Sequence, residues 1–468
     1  MLTRRLRPIL LSTALAATLA LGPDRLMAET LADALVKAYQ TSPLLESSRA
    51  ALRSLDEGVP QARADRRPQV GAEIGANTNA SPEDFSQQLY DLSAGLNASL
   101  LLLDNGQTRA AVEAARYRVA AGRADLKGVE QLVLFDAVTA YVNVRRDEEF
   151  VRLAQTDVER LQETLRATQN RFDVGEVTRT DVSQAESRLA ESRSTLVAAQ
   201  GALEIAREAY RAAVGVPPQN LTPPPPLPAL PPNVDEAVAL AVQRNPEIIA
   251  AQYNERVAVY DVDRAMAARG PSVSATASVG VQRGNQFQFD VETWDGDAFG
   301  AVGIEGSMPL YTGGRNASLV RQAQAILDQR RFELQDTGRA VTEDTASAWA
   351  ELQVARASII ARREQAEAAR IAAEGVSEEA RLGARSTLDV LDADQERLEA
   401  EAEIVRALAN EYVAGYAVLR QVGLLTVKHL GLGIETYEPD DYYARVQSAP
   451  SGGYYTSVVD RIRARWEK

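Results

Sequence analysis

At 468 residues the chain is long enough for two or three domains or one large elongated one. Its formal charge of −14 argues against a nucleic-acid backbone as partner, and the absence of cysteine removes disulfides and thiolate chemistry. His429 is the only histidine, so histidine-based catalysis and His-rich metal sites are nearly excluded.

Residues 1–28 read as a secretory signal. Arg4, Arg5 and Arg7 precede an apolar run from Ile9 to Leu21, too short to span a bilayer as a helix. Cleavage is expected after Ala28, with Ala20 as the alternative. Removing the +3 of this segment (four arginines, one aspartate) takes the formal charge from −14 to −17. No later segment approaches the apolar length of a transmembrane helix, so a membrane crossing would have to use strands.

The first repeat, 29–215, starts with a helical pattern over about 31–66. Strand patterns follow at about 69–77 and 89–101, then helices over about 107–172 and 178–213. In the second strand Leu92, Ala94, Leu96, Ala98 and Leu100 alternate with polar or small residues. Along the long helix, Val151, Ala154, Val158, Leu161, Leu165, Thr168 and Phe172 recur in the 3-4 alternation of a coiled-coil seam. A proline-rich segment, 216–233, reads as a stiff linker of polyproline II type.

The second repeat, 234–425, restates the first. Helical pattern covers about 234–269, strands about 272–282 and 299–310, and helices about 315–382 and 386–422. SPLLE at Ser42 matches NPEII at Asn245. Gly106, Tyr141, Gly175, Asp181 and Gly215 match Gly314, Trp349, Gly383, Asp389 and Gly423. A C-terminal segment, 426–468, has no counterpart. Each long helix should reach roughly 100 Å at 1.5 Å per residue, with the two shorter helical stretches of its repeat stacked end to end beside it. Four strands cannot close a barrel, and open edges in lipid would strand backbone groups, so closure calls for several chains.

The two turns between long and short helices are written in parallel, as RFDVGEVTRTDV and ARLGARSTLDVLDA. Gly175 and Gly383 suit left-handed helix C-caps. Thr178 with Asp181, and Ser386 with Asp389, have capping-box spacing. Capping leaves Asp392 unexplained. It lies one turn beyond Asp389 on the same helical face, where the first repeat has Gln184.

From Leu31 to about Leu425 the chain resembles the TolC family of outer-membrane channel-tunnel proteins. The likeness rests on the duplication, SPLLE and NPEII, PLYTGGR at 309–315, the paired turns, and the closing AVGV and RQVGLL. It implies a mainly α fold with a membrane β-barrel portion: a homotrimer with a twelve-stranded barrel in outer-membrane lipid and a coiled-coil α-barrel in the periplasm. The implied function is a passive exit duct for efflux or type I secretion, without catalytic residues, metal or cofactor. The implied partners are a periplasmic adaptor (membrane fusion) protein and an inner-membrane ABC or proton-driven transporter. Asp389 and Asp392 would line the gate at the periplasmic tip, and Arg385 would latch it through Thr180 and Asp181. Ala380 stands where the family has a tyrosine, so one latch bond is missing. A periplasmic coiled-coil adaptor or a structural scaffold of an export system remains the alternative.

Overall fold

The computed structural model describes residues 28–81, 84–286 and 295–448; the expected signal segment lies outside them apart from Ala28. The first repeat opens with α1 (Leu31–Thr41), α2 (Pro43–Asp56) and α3 (Gly58–Ala64), where the sequence suggests one helical stretch. Proline makes the first break. Ser42 precedes Pro43 and is pushed to extended backbone (φ −64°, ψ 115°), and its hydroxyl caps α2. The repeat continues with β1 (Gln69–Ser81), β2 (Asp84–Leu103), α4 (Gln107–Asp173) and α5 (Arg179–Val214).

The second repeat contains α6 (Val234–Arg244), α7 (Pro246–Ala267), β3 (Ser272–Gln286), β4 (Asp295–Ser307), α8 (Arg315–Arg381) and α9 (Thr387–Gln421). Asn245 before Pro246 divides α6 from α7 as Ser42 divides α1 from α2. β4 stops at Ser307, short of the expected 310, because Pro309 has no N–H for a ladder. At their helix-distant ends all four strands run beyond the expected limits, through residues too polar to show in an apolar alternation.

Both long helices have 67 residues, roughly 100 Å at 1.5 Å per residue. Helices α1–α3 and α5 lie along α4, while α6, α7 and α9 lie along α8, and α7 also packs against α4. Val158 and Leu161 of the expected seam are buried, but Phe172 is exposed at its end. The α8 seam is narrower: Ala366, Ala369, Ala373 and Ala380 are buried.

The four strands form one antiparallel sheet in the order β1-β2-β3-β4. Register places Val70, Ala98, Ala277 and Val302 side by side, so they share one face. That face is apolar and open, with Val70, Ile74, Val302 and Ile304 all more than two-thirds exposed. The neighbouring row, Gly71, Asn97, Ser278 and Ala301, is polar or small. No helix among the described residues is long and apolar enough to cross a membrane.

The main core sits midway along the helices. There the Tyr141 hydroxyl donates to the Thr222 carbonyl at 2.6 Å, with the Glu29 carbonyl 3.0 Å away. This pins the start of the repeat and the proline-rich segment to α4. The linker is therefore packed rather than free, with Leu221 buried and Leu227 and Leu230 against the core.

The last helix among the described residues, α10 (Pro439–Ser448), docks beside α2. Asp440 pairs with Arg123 at 2.8 Å and the Tyr442 hydroxyl donates to Glu57 at 3.0 Å. Under it lies Asp56, fully buried, with neither carboxylate oxygen hydrogen-bonded. Burial pushes its carboxyl up to about 6 despite the pull of Arg123, with Glu57 and Asp440 adding to the rise. A raised carboxyl pKa means that the folded chain holds the proton more tightly than the unfolded one. Asp56 thus destabilises the fold progressively as pH climbs from the ordinary 3.8 through about 6. Asp56→Asn should raise the thermal midpoint at pH 8 and change it little at pH 4, as thermal unfolding at the two pH values will show.

Candidate gate at the helical tip

The tip is built by two turns that end helices and start them within a few residues. After α4, Gly175 takes φ +81°; its N–H bonds the Phe172 carbonyl at 2.9 Å and that of Glu176 bonds Arg171 at 2.8 Å. After α8, Gly383 repeats φ +81°, with Gly383 to Ala380 at 3.1 Å and Ala384 to Glu379 at 2.9 Å. Both are the two-bond Schellman closure, and the left-handed backbone is why glycine stands at each.

The helices that follow are both held by capping boxes. The Thr178 N–H donates to Asp181 at 2.8 Å, and the Asp181 N–H donates back to the Thr178 hydroxyl at 3.3 Å. Ser386 and Asp389 repeat the exchange at 2.9 and 3.2 Å. These bonds favour the ionised carboxylates: Asp181 is held below the usual range first by the Thr178 hydroxyl, and Asp389 first by the Ser386 backbone N–H. Crowding of like charges in a ring would act the other way and raise carboxyl pKa values. Within one chain the shift at Asp389 is downward.

Asp392 is not a cap. The Arg188 guanidinium on α5 donates to it at 2.8 Å, crossing from the first repeat to the second. Asp394 makes a parallel link, accepting from Arg160 of α4 at 2.5 Å with Arg397 3.8 Å away. Between these ion pairs Leu391, 2 % exposed, packs into Val158, Leu161 and Leu189. One turn of α9 thus ties the two repeats together by an apolar plug and two charge pairs. Sequence reasoning named Asp392 and missed Arg160, Arg188, Leu391 and Asp394. The one available signal was the run of acidic residues at three- and two-residue steps after Ser386, which needs partners on another helix.

The expected latch is differently made within one chain. Arg385 donates to Glu379 at 2.8 Å, six residues back across its own turn, rather than to Thr180 or Asp181. The short span explains this: the Schellman turn brings both side chains to the same side, whereas Asp181 is already engaged by Thr178. Thr180 is exposed, and Ala380 is buried in the α8 seam, leaving no polar group at that position.

Among known proteins, the family model described as "Outer membrane efflux protein" matches residues 34–216 and 237–422, nearly all of both repeats. The chain belongs to the outer membrane efflux protein family. It is 35 % identical over 422 residues to the outer membrane efflux protein BepC of Brucella suis biovar 1, covering 90 % of this chain and 91 % of that one. It is 26 % identical over 445 residues to the outer membrane protein TolC of Vibrio cholerae serotype O1, covering 90 % and 96 %. The crystal structure of CusC superposes with a TM-score of 0.73 at 20 % identity, over 85 % of this chain and 92 % of that one, and so shares the fold. This efflux protein is therefore an outer-membrane channel and not an enzyme. Its strands are the membrane part and its helices extend into the periplasm.

Proposed function

We propose that three copies of this chain close a twelve-stranded barrel and a helical tunnel, forming the exit duct of an efflux pump or type I secretion system. The single four-stranded sheet carries the reading. It has an apolar face, and its outer strands β1 and β4 each leave one edge unpaired within the chain. In lipid such edges are untenable, and identical copies joined β4 to β1 satisfy them with cyclic symmetry. Mass measurement of the detergent-solubilised mature protein should return a trimer. A stable, water-soluble monomer would end the channel reading.

The tip is the proposed gate and the proposed docking end for a periplasmic adaptor, behind which an inner-membrane ABC or proton-driven transporter supplies the cargo. Val174 and Leu382, at equivalent positions in the two turns, are 71 % and 85 % exposed, an apolar pair suited to a partner's helical hairpin. Asp389 and Asp392, in three copies each, form the proposed selectivity ring. Arg385, Thr180 and Asp181 form a latch only by pairing between neighbouring chains, since Arg385 turns to Glu379 within its own. Arg385→Ser therefore separates the two roles. Both members of its pair with Glu379 are about half exposed, so the loss to chain stability should be small. Single-channel conductance should nevertheless rise. Unchanged conductance would place the latch elsewhere.

A further inference from the structure

All four strands meet the helices at one end of the sheet: β1 starts at Gln69, β2 ends at Leu103, β3 starts at Ser272 and β4 ends at Ser307. The segments flanking those ends, 63–69, 102–109, 264–272 and 307–315, contain seven arginines and two aspartates. That is five positive charges in excess in a chain whose formal charge is −14, and four once Arg264 is set against Asp261, 3.4 Å away just outside these segments. One of the aspartates, Asp104, is buried and committed: it accepts from the N–H groups of Gly106 at 3.2 Å and Thr108 at 2.6 Å, starting α4. Arg66, Arg109, Arg269 and Arg315 are exposed. Of these, the Arg66 guanidinium reaches the Leu102 carbonyl at 3.5 Å, while the guanidinium groups of the other three have no hydrogen bond or ion pair among the described residues.

The apolar face of the sheet runs into the same zone. On β4 the outward row Val302 and Ile304 continues at the same two-residue step past the strand end to Met308 and Leu310, 57 % and 88 % exposed. Exposed apolar surface therefore ends where unpaired guanidinium groups begin, which is the profile of a membrane surface and its headgroup layer. We propose that this arginine collar binds anionic phospholipid headgroups of the periplasmic leaflet. The inference rests on the strands spanning the outer membrane, with the helices marking the periplasmic end. Planar guanidinium groups pair phosphate oxygens two at a time, and a net positive collar selects lipid with net negative charge over zwitterionic lipid. Each arginine near an anionic surface favours it about fivefold. The phosphorylated glycolipid of the outer leaflet would meet the opposite strand ends, away from the collar.

The test uses the mature assembly in detergent with phosphatidylglycerol, phosphatidylcholine or lipid A added to the micelles. The readout is the thermal midpoint of the assembly, with its mass measured in the same samples. Phosphatidylglycerol should raise the midpoint more than phosphatidylcholine does. The combined variant Arg66→Gln, Arg109→Gln, Arg269→Gln, Arg315→Gln should lose that difference. An equal response of the wild type to the two phospholipids overturns the proposal, as does a preference kept in full by the variant. Stronger stabilisation by lipid A, lost in the same variant, overturns the assignment to the periplasmic leaflet. Should the variant fail to assemble, the wild type decides alone: its preference must fade as salt rises to about 0.5 M, and persistence there overturns the electrostatic basis. A trimer without lipid preference sinks the collar only, whereas a soluble monomer sinks the channel reading.

Discussion

Replacing Leu391 with alanine should open the tip more than removing any single charge there. Leu391 is 2 % exposed and fills a site between Val158, Leu161 and Leu189, so truncation leaves a cavity costing about 2–5 kcal/mol. The neighbouring Arg188–Asp392 pair, with 30 % and 57 % of its side chains exposed, is worth about 0–1 kcal/mol. Packing therefore outweighs charge as the tie between α9 and the first repeat. The loss falls on one turn of α9, far from the main core around Tyr141, so folding and assembly should survive. Conductance in planar bilayers should rise, and the tip should become more sensitive to protease. Leu391→Met, which keeps the volume, should stay near wild type. If Leu391→Ala conducts as wild type does while protease shows the tip loosened, this contact does not hold the gate.

How much of this was legible in the sequence depends on the range of the forces involved. The repeat, the long helices and the strand alternation are local and periodic, so a 3-4 or two-residue rhythm reveals them without knowledge of neighbours. Caps are equally local: Gly175 with Thr178 and Asp181 announces a turn and a helix start within seven residues. The breaks before Pro43 and Pro246 were readable in principle, because proline constrains its predecessor, yet the continuing apolar rhythm hides them. Ion pairs across helices are of another kind. Arg188 lies 204 positions from Asp392, and Arg160 lies 234 from Asp394. Nothing in either local pattern distinguishes these arginines from the many that pair three or four residues away on their own helix. Arg385 is the reverse case: the family expectation gives it a distant partner, whereas within one chain Glu379 lies within reach of the turn.

The strongest functional effect is expected from Asp389→Ala combined with Asp392→Ala. In the proposed trimer these residues bring six carboxylates to one constriction, and acidic rings favour cations in a pore. The two sites carry their charge differently. Asp389 stays ionised because the Ser386 N–H and hydroxyl hold it, whereas the charge of Asp392 is partly offset by Arg188. A multivalent cation entering the ring must therefore compete with Arg188 at Asp392 but finds Asp389 already ionised. The double variant should lose cation selectivity and block by trivalent cations while remaining assembled. Asp389→Ala by itself also removes the carboxylate half of the Ser386 capping box, so its thermal midpoint must be measured alongside. Arg188→Gln supplies the opposite change: it frees Asp392 and should increase cation selectivity and tighten the block. Reversal potentials across a salt gradient, with and without a trivalent cation on the periplasmic side, read all three variants. A double variant matching wild type in both measurements would leave the aspartates as a helix cap and an interhelical tie, with no part in selecting ions.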